Sequence, residues 1–438
     1  MTRRDRPNDL IDGAALMARL DALARFTETP GMVTRTYLTP AHRAAGRQLI
    51  AWMTEAGMTA GFDAVSNVVG RLEGSDAHAP AIVLGSHYDS VINAGRYDGP
   101  YGILAAIAAI DALRRDNKRP RQPIEVVAFA EEEGVRFKAT LIGSRAFAGT
   151  LDPAVLDLCD AAGGRLGDAL AAFHGGVTPP LSSAARKAGT IACYIEAHIE
   201  QGPVLLKNGE PLGIVTGIAG ASRFAITITG EAGHAGTVPM AMRRDALAAG
   251  AELVLAVERI CAVRQGLVGT VGMLDVPGGA TNVVPGEVRL SLDVRAGEDA
   301  QRLAAIAAIR EETDAIAGRR GVGMVWTQTH DAAAVACDPA LQAALAASIG
   351  DLGLPVRHMA SGAGHDAMAL ASLCPVAMLF VRCGNGGISH DPRETMTAED
   401  AALGAEVLYR TVRRLADAPA LPRPRARKIR VARGAPSP

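Results

Sequence analysis

The chain has 438 residues, more than one hydrophobic core normally serves, since single cores stop growing near roughly 250–300 residues. Its 45 basic and 46 acidic side chains leave a formal net charge of −1, which gives no general electrostatic reason to bind nucleic acid or an anionic membrane. The 49% hydrophobic content suits a globular α/β protein, and no stretch approaches the about 18 uncharged apolar residues of a membrane span.

The opening MTRRDRPNDL carries charge with no apolar run behind it, unlike a secretory signal. Helical apolar spacing follows over 16–26 and 41–56, the second starting at Thr39-Pro40 with proline in the first turn. Short strand-like runs come next at 67–72, 81–85 and 124–130, with a helical run at 102–115 between the last two. Strand, helix, strand at this spacing predicts a largely parallel sheet, and runs such as AIVLG and IEVVAFA fit buried central strands. After about residue 212 the order becomes strand (222–229), helix (243–263), two strands (268–276 and 287–295), helix (299–316) and strand (322–329). That β-α-β-β-α-β order is ferredoxin-like and reads as a compact domain inserted into a larger one. Helix and strand signals resume at 339–349, 376–381 and 398–416. The expected division is 1–212 and 331–417 for the two parts of the larger domain and 213–330 for the insert. Residues 418–438 form a Pro/Arg-rich tail, read as a solvated terminus without fixed structure, a nucleic-acid arm being the lesser reading. Six scattered cysteines show no tight pairing motif and suit a reducing cytoplasm.

Five possible metal ligands sit in separate apolar-flanked segments: His87, Asp98, Glu133, His198 and His390. His87 directly follows a strand run, and Asp89 two positions on could accept the proton of its other ring nitrogen. Asp98 lies in AGRYDGPYG, where Gly95 and Gly99 allow tight turns around a carboxylate that could bridge two ions. Three glutamates, 131–133, end a buried strand, which costs desolvation unless cations compensate. If one binds metal, a neighbour can be the general base; a solvated run of charge is the plain alternative. Strand alternation puts Glu196, His198 and Glu200 on one face, and His390 sits in the Gly-rich loop GNGGISHDP. Each histidine alone is as well explained by ordinary packing. Together the set matches a two-metal hydrolase, which needs imidazoles, a bridging carboxylate and a place for water.

The surroundings of these residues resemble the hydantoinase/carbamoylase branch of the di-zinc aminoacylase- and carboxypeptidase-like amidohydrolases. That branch includes N-carbamoyl-L-amino acid hydrolases, bacterial and yeast-type β-ureidopropionases and allantoate amidohydrolases. The matching stretches run in order from about residue 23 to 415. They are GMVTR (31–35), GSHYDSV (85–91), YDGPYG (97–102), FAEEEGVRF (129–137), GSRAF (143–147), EAHIEQGP (196–203), GHAGTVPM (233–240), TNVVPG (281–286), LDVR (292–295), SGAGHDA (361–367) and GGISHDPRE (386–394). Departures are small: Ser66 stands where glycine is usual, Val238 where threonine is common, and Tyr101 at a variable position close enough to the metal loop to bear on substrate choice.

The resemblance implies a mixed, largely parallel α/β catalytic domain with an inserted ferredoxin-like lid and dimerisation domain. It implies His87 and His198 on one metal, Glu133 and His390 on the other, Asp98 between them, and Glu132 as general base. Gln201, His234, Asn282, Arg295 and Gly362 match the substrate-binding set. Arg295 would pair with a substrate carboxylate, and His234 would donate to the oxyanion from across a homodimer contact. The implied reaction is cleavage of an N-carbamoyl (ureido) group on a carboxylate-bearing small molecule, with allantoate or acyl amino acid hydrolysis as alternatives. The implied cofactors are two divalent ions per chain, zinc first, with manganese, cobalt or nickel compatible with the ligand types. No nucleic-acid or membrane partner is expected. A non-catalytic metal-binding protein of the same fold is the alternative from another class.

Overall fold

A computed structural model describes residues 10–117 and 119–417. The expected tail, 418–438, lies outside the described residues. The chain divides into two compact units, one formed by the residues up to Leu212, Ala343–Val356 and those from Ala369 on, the other by Gly213–Gln342 and Arg357–Met368. No described helix is long and apolar enough to cross a membrane.

The first unit is built on strands in the order Thr59–Phe62, Val68–Leu72, Ile124–Phe129, Ala81–His87, Ile191–Ile199 and Val376–Val381. The first three pair antiparallel and the last four pair parallel, so the sheet is mixed but parallel at its centre. Ala81–His87, Ile124–Phe129 and Val376–Val381 are buried along their whole length, which is why they read as unbroken apolar runs. The helix Pro100–Arg115 buries twelve of its residues, named from Pro100 to Leu113. Thr39 caps the helix Pro40–Glu55, its hydroxyl accepting the His42 amide at 3.2 Å with proline in the first turn, as the sequence predicts. Ser66 adopts φ 70°, a left-handed conformation that explains why glycine is usual there.

The second unit contains an antiparallel sheet ordered Leu274–Asp275, Glu287–Ala296, Gly220–Thr229 and Gly323–Ala332, with Leu267–Thr270 also on Glu287–Ala296. Helices Ala246–Ala262 and Asp299–Arg320 complete the ferredoxin-like order. Register sets Val288 against Ile228, Leu290 against Ile226 and Leu292 against Phe224, so one face is apolar and packs with Leu253, Val257 and Ile309. The alternate positions Arg223, Asp293 and Arg295 therefore share the other face. The predicted strand 268–276 breaks into two pieces, because the Ser291 hydroxyl accepts the Met273 amide in place of a ladder bond. The helix predicted to end at 316 runs on to Arg320, where Arg319 and Arg320 pair with Glu252, and stops at Gly321 with φ 64°. Strand Leu212–Ile218 pairs with Val335–Ala336 and, in parallel, with His358–Ser361. The expected boundary at 330 falls inside the strand Gly323–Ala332.

Candidate metal centre

Parallel strands that end together deliver the candidate ligands, as open α/β sheets do at their carboxyl ends. His87 is the last residue of its strand and pairs in register with Phe129, from which Ala130 leads into Glu131–Glu133. His198 is the penultimate residue of Ile191–Ile199 and pairs with Phe380. The chain leaving Val381 carries His390, and Asp98 precedes the helix Pro100–Arg115. Gly99 between them has φ 80°, and a Cβ there would lie 2.5 Å from His87 Cε1, so only glycine lets the Asp98 turn pass the imidazole.

Asp98 is the hub. Its Oδ1 lies 3.6 Å from His87 Nε2 and 3.2 Å from His198 Nε2, and its Oδ2 lies 3.1 Å from His390 Nε2. His390 Nε2 is also 3.4 Å from Glu133 Oε1. Two triads result, His87/Asp98/His198 and Asp98/Glu133/His390, each with its ligand atoms within 4.8 Å of one another and sharing Asp98. A third group, His87/Glu132/Glu133, meets the same limit and brings Glu132 beside them. Asp98 Oδ1 is buried and makes no hydrogen bond, although two ring nitrogens face it. A buried carboxylate oxygen left so, inside a nitrogen and oxygen donor set, fits a divalent cation.

The electrostatics agree. Burial opposes charge on Asp98, yet the close imidazoles of His198, His390 and His87 hold its carboxyl well below the usual range. A hydrogen bond to Asp98, against burial, lifts His390 to about 9. Burial, then the charge of Asp98, pushes Glu133 up to about 7. So many acids and imidazoles packed together favour added positive charge, which protons or metal ions can supply.

The loop carrying the glutamates is tied at both ends. Leu141 and Ile142 donate their amides to the Glu132 and Glu131 carbonyls at 3.2 and 3.0 Å. Asp89 Oδ1 accepts the Glu132 amide at 3.0 Å and its Oδ2 the Glu133 amide at 3.1 Å, while Oδ1 lies 3.5 Å from His87 Nδ1. One carboxylate thus orients the imidazole and the two glutamates together. The three glutamates diverge: Glu131 takes φ 56° and is buried, with its carboxyl held well above the usual range by burial. Gln201 lies in the same cluster, its Nε2 3.0 Å from Asp98 Oδ2 and 3.5 Å from His390 Nε2.

Two expectations change. Glu200 does not share the polar face with Glu196 and His198: it lies past the strand end, where its carboxylate accepts the Val204 and Leu205 amides at 2.7 and 2.8 Å. Tyr101 is fully buried and donates to the Ala401 carbonyl at 3.1 Å, so it braces two helices and has no surface to offer a substrate.

The second unit holds the remaining candidates. His234 Nδ1 accepts the Gly236 amide at 3.1 Å, which leaves the ring proton on Nε2 as a donor. Asn282 lies beside it, its carbonyl accepting the Ala235 amide at 2.9 Å. Arg295 gives Nε and Nη2 to Asp293, each at 2.9 Å, and Nη1 to the Gly362 carbonyl at 2.8 Å. Asp293 is held in turn by Arg223 at 2.9 Å. Sequence reasoning gave no role to Ser389 and Glu394, whose contacts with the Asp98 loop are close; their place in the matching stretch GGISHDPRE is the signal the sequence offers.

Residues 83–414 match the family model described as peptidase family M20/M25/M40. An N-carbamoyl-L-amino acid amidohydrolase of Geobacillus stearothermophilus is 42% identical over 409 residues, covering 93% of this chain and 99% of that protein. Allantoate deiminase 2 of Glycine max is 39% identical over 414 residues, covering 88% and 86%. The crystal structure of a hydantoinase/carbamoylase family amidase from Burkholderia multivorans superposes with a TM-score of 0.86 at 36% identity, covering 93% of this chain and 98% of that one. The chain belongs to the peptidase family M20/M25/M40 and, within it, to the hydantoinase/carbamoylase branch.

Proposed function

We propose that this chain is a metal-dependent amidohydrolase that cleaves the ureido group of an N-carbamoyl-L-amino acid or N-carbamoyl-β-alanine. The observation that carries the reading is the pair of ligand triads sharing Asp98 with Glu132 alongside. His87, Asp98 and His198 would hold one divalent ion and Asp98, Glu133 and His390 the other, with zinc the first choice and manganese, cobalt or nickel compatible. Bound ions at such a site supply charge that acidifies a water and polarises the carbamoyl oxygen.

Glu132 takes the proton of the attacking water and returns it to the leaving nitrogen. The C–N bond to the amine breaks, and the carbamic acid formed falls apart to ammonia and CO2. His234, with its proton on Nε2, donates to the oxyanion, from the partner subunit of a homodimer built through the second unit. Arg295 receives the substrate carboxylate. Asp293 occupies the Nε side of its guanidinium and so fixes the plane in which the remaining N–H groups point. Asn282, Gln201 and Gly362 complete the hold on the acid, which orients the ureido carbon. Scattered thiols without disulfides suit a cytoplasmic place for the reaction.

The allantoate deiminases among the relatives support a second reading, hydrolysis of allantoate. Ammonia release from an N-carbamoyl-L-α-amino acid, N-carbamoyl-β-alanine and allantoate, each with added Zn2+, Mn2+ or Co2+, tests both. Turnover of either carbamoyl compound is expected to be fastest, and fastest turnover of allantoate would select the second reading. Inactivity on all three with activity on N-acyl amino acids or dipeptides would overturn both in favour of an aminoacylase-like enzyme.

A further inference from the structure

We infer that Glu394 is a positioning residue for the carboxylate of Asp98, acting through the backbone that carries Asp98 and through the single hydroxyl proton of Ser389. The inference rests on the reading of Asp98 as a metal ligand. Glu394 is almost fully buried in a loop whose neighbours Asp391 and Arg393 pair with each other nearer the surface. Its Oε1 accepts the amides of Tyr97 at 2.8 Å and Asp98 at 3.2 Å, pinning the turn that presents Asp98. Its Oε2 accepts from Ser389 Oγ at 2.9 Å. Room for this carboxylate comes from Gly95, where a Cβ would meet Glu394 Oε1 at 2.4 Å although the backbone there has no left-handed φ. Gly95 is thus required by Glu394 and not by a turn.

Ser389 has one proton and two carboxylates in reach, since its Oγ also lies 3.1 Å from Asp98 Oδ2. The shorter contact, to Glu394 Oε2, takes that proton. Asp98 Oδ2, which already accepts Gln201 Nε2 at 3.0 Å, is then spared a second donor and keeps a lone pair toward His390 and Glu133, where the second ion would bind. A glutamine at 394 would keep its oxygen on the two amides, which need an acceptor, and turn its NH2 toward Ser389. The hydroxyl would then swing its proton onto Asp98 Oδ2, the atom needed for metal.

The test is Zn2+ affinity of the metal-free full chain, read by competition with a chelating dye, alongside the absorption spectrum of the Co2+-loaded protein. Glu394→Gln is expected to weaken binding by about 10- to 100-fold, the usual effect of losing an outer-shell partner, and to alter the Co2+ bands. Adding Ser389→Ala removes the misdirected proton and is expected to recover part of that affinity, which a merely structural role would not do. Wild-type affinity in Glu394→Gln overturns the inference while leaving the metal reading in place. An affinity not raised by Ser389→Ala overturns the Ser389 route. A wild-type chain that takes up no Zn2+ or Co2+ overturns the metal reading and the inference with it. If Glu394→Gln does not fold, Gly95→Ala carries the same test by displacing the carboxylate, with the same loss expected and wild-type affinity again contradicting it.

Discussion

Glu132 and Glu133 are adjacent yet are assigned different work, and Asp89 makes that possible. By taking one backbone amide on each of its oxygens it sets the two residues at a defined angle, so that their carboxylates can serve separate purposes. The division has a direct consequence. Glu132→Gln keeps the shape and the ligand set but removes the base, so metal content should stay at the wild-type level while kcat falls by about 10²- to 10⁴-fold. Elemental analysis and turnover on one preparation check this, and turnover within about tenfold of wild type would sink the assignment. The candidate ligands could be picked out of the sequence because they stand where a buried strand ends or in a glycine-rich turn, and the fold brings them together. Glu394 was not, because an acid among Asp391 and Arg393 looks like solvated charge until the fold brings Tyr97, Asp98 and Ser389 to it.

At the scale of elements, the buried apolar strands and the helix start at Thr39-Pro40 were read correctly. Short pieces such as Thr59–Phe62, Ile142–Ala148 and Leu166–Phe173 were not, since they depend on partners far along the chain. One helix also carries a pH dependence. His42, in Pro40–Glu55, is buried with its ring stacked on Tyr88 at 4.1 Å. Tyr88 donates its hydroxyl proton to the Ser66 carbonyl at 2.7 Å, so His42 Nδ1 at 3.3 Å carries the hydrogen and the ring is neutral. Burial lowers its pKa to about 3, whereas in the unfolded chain it titrates near 6.5. Below pH 6.5 the unfolded state therefore binds a proton that the folded state refuses, and stability from this group is lost as pH falls from about 6.5 toward 3. His42→Phe should remove that component. Between pH 7.5 and 5, urea unfolding of the metal-free variant should lose about 2 kcal/mol less stability than wild type. Equal losses would contradict a neutral buried His42.

At the scale of the whole molecule, the chain divides its chemistry between two compact units. One carries the candidate ligands and Glu132; the other carries the proposed substrate-binding residues His234, Asn282 and Arg295 on a ferredoxin-like sheet and its loops. If His234 is supplied by a partner subunit, the active species is a dimer, and sedimentation velocity should show one at working concentrations. Full activity from a monomer would contradict that arrangement. The most direct test of the account as a whole follows metal and chemistry together. The chain is stripped with a chelator and titrated with Zn2+ or Mn2+, while bound metal and ammonia release from an N-carbamoyl-L-amino acid are read at each step. The expected result is no release without metal, with activity rising as ions bind and levelling off near two per chain. Undiminished release from the stripped chain, or full loading with no hydrolysis of any ureido or acyl compound, would contradict it.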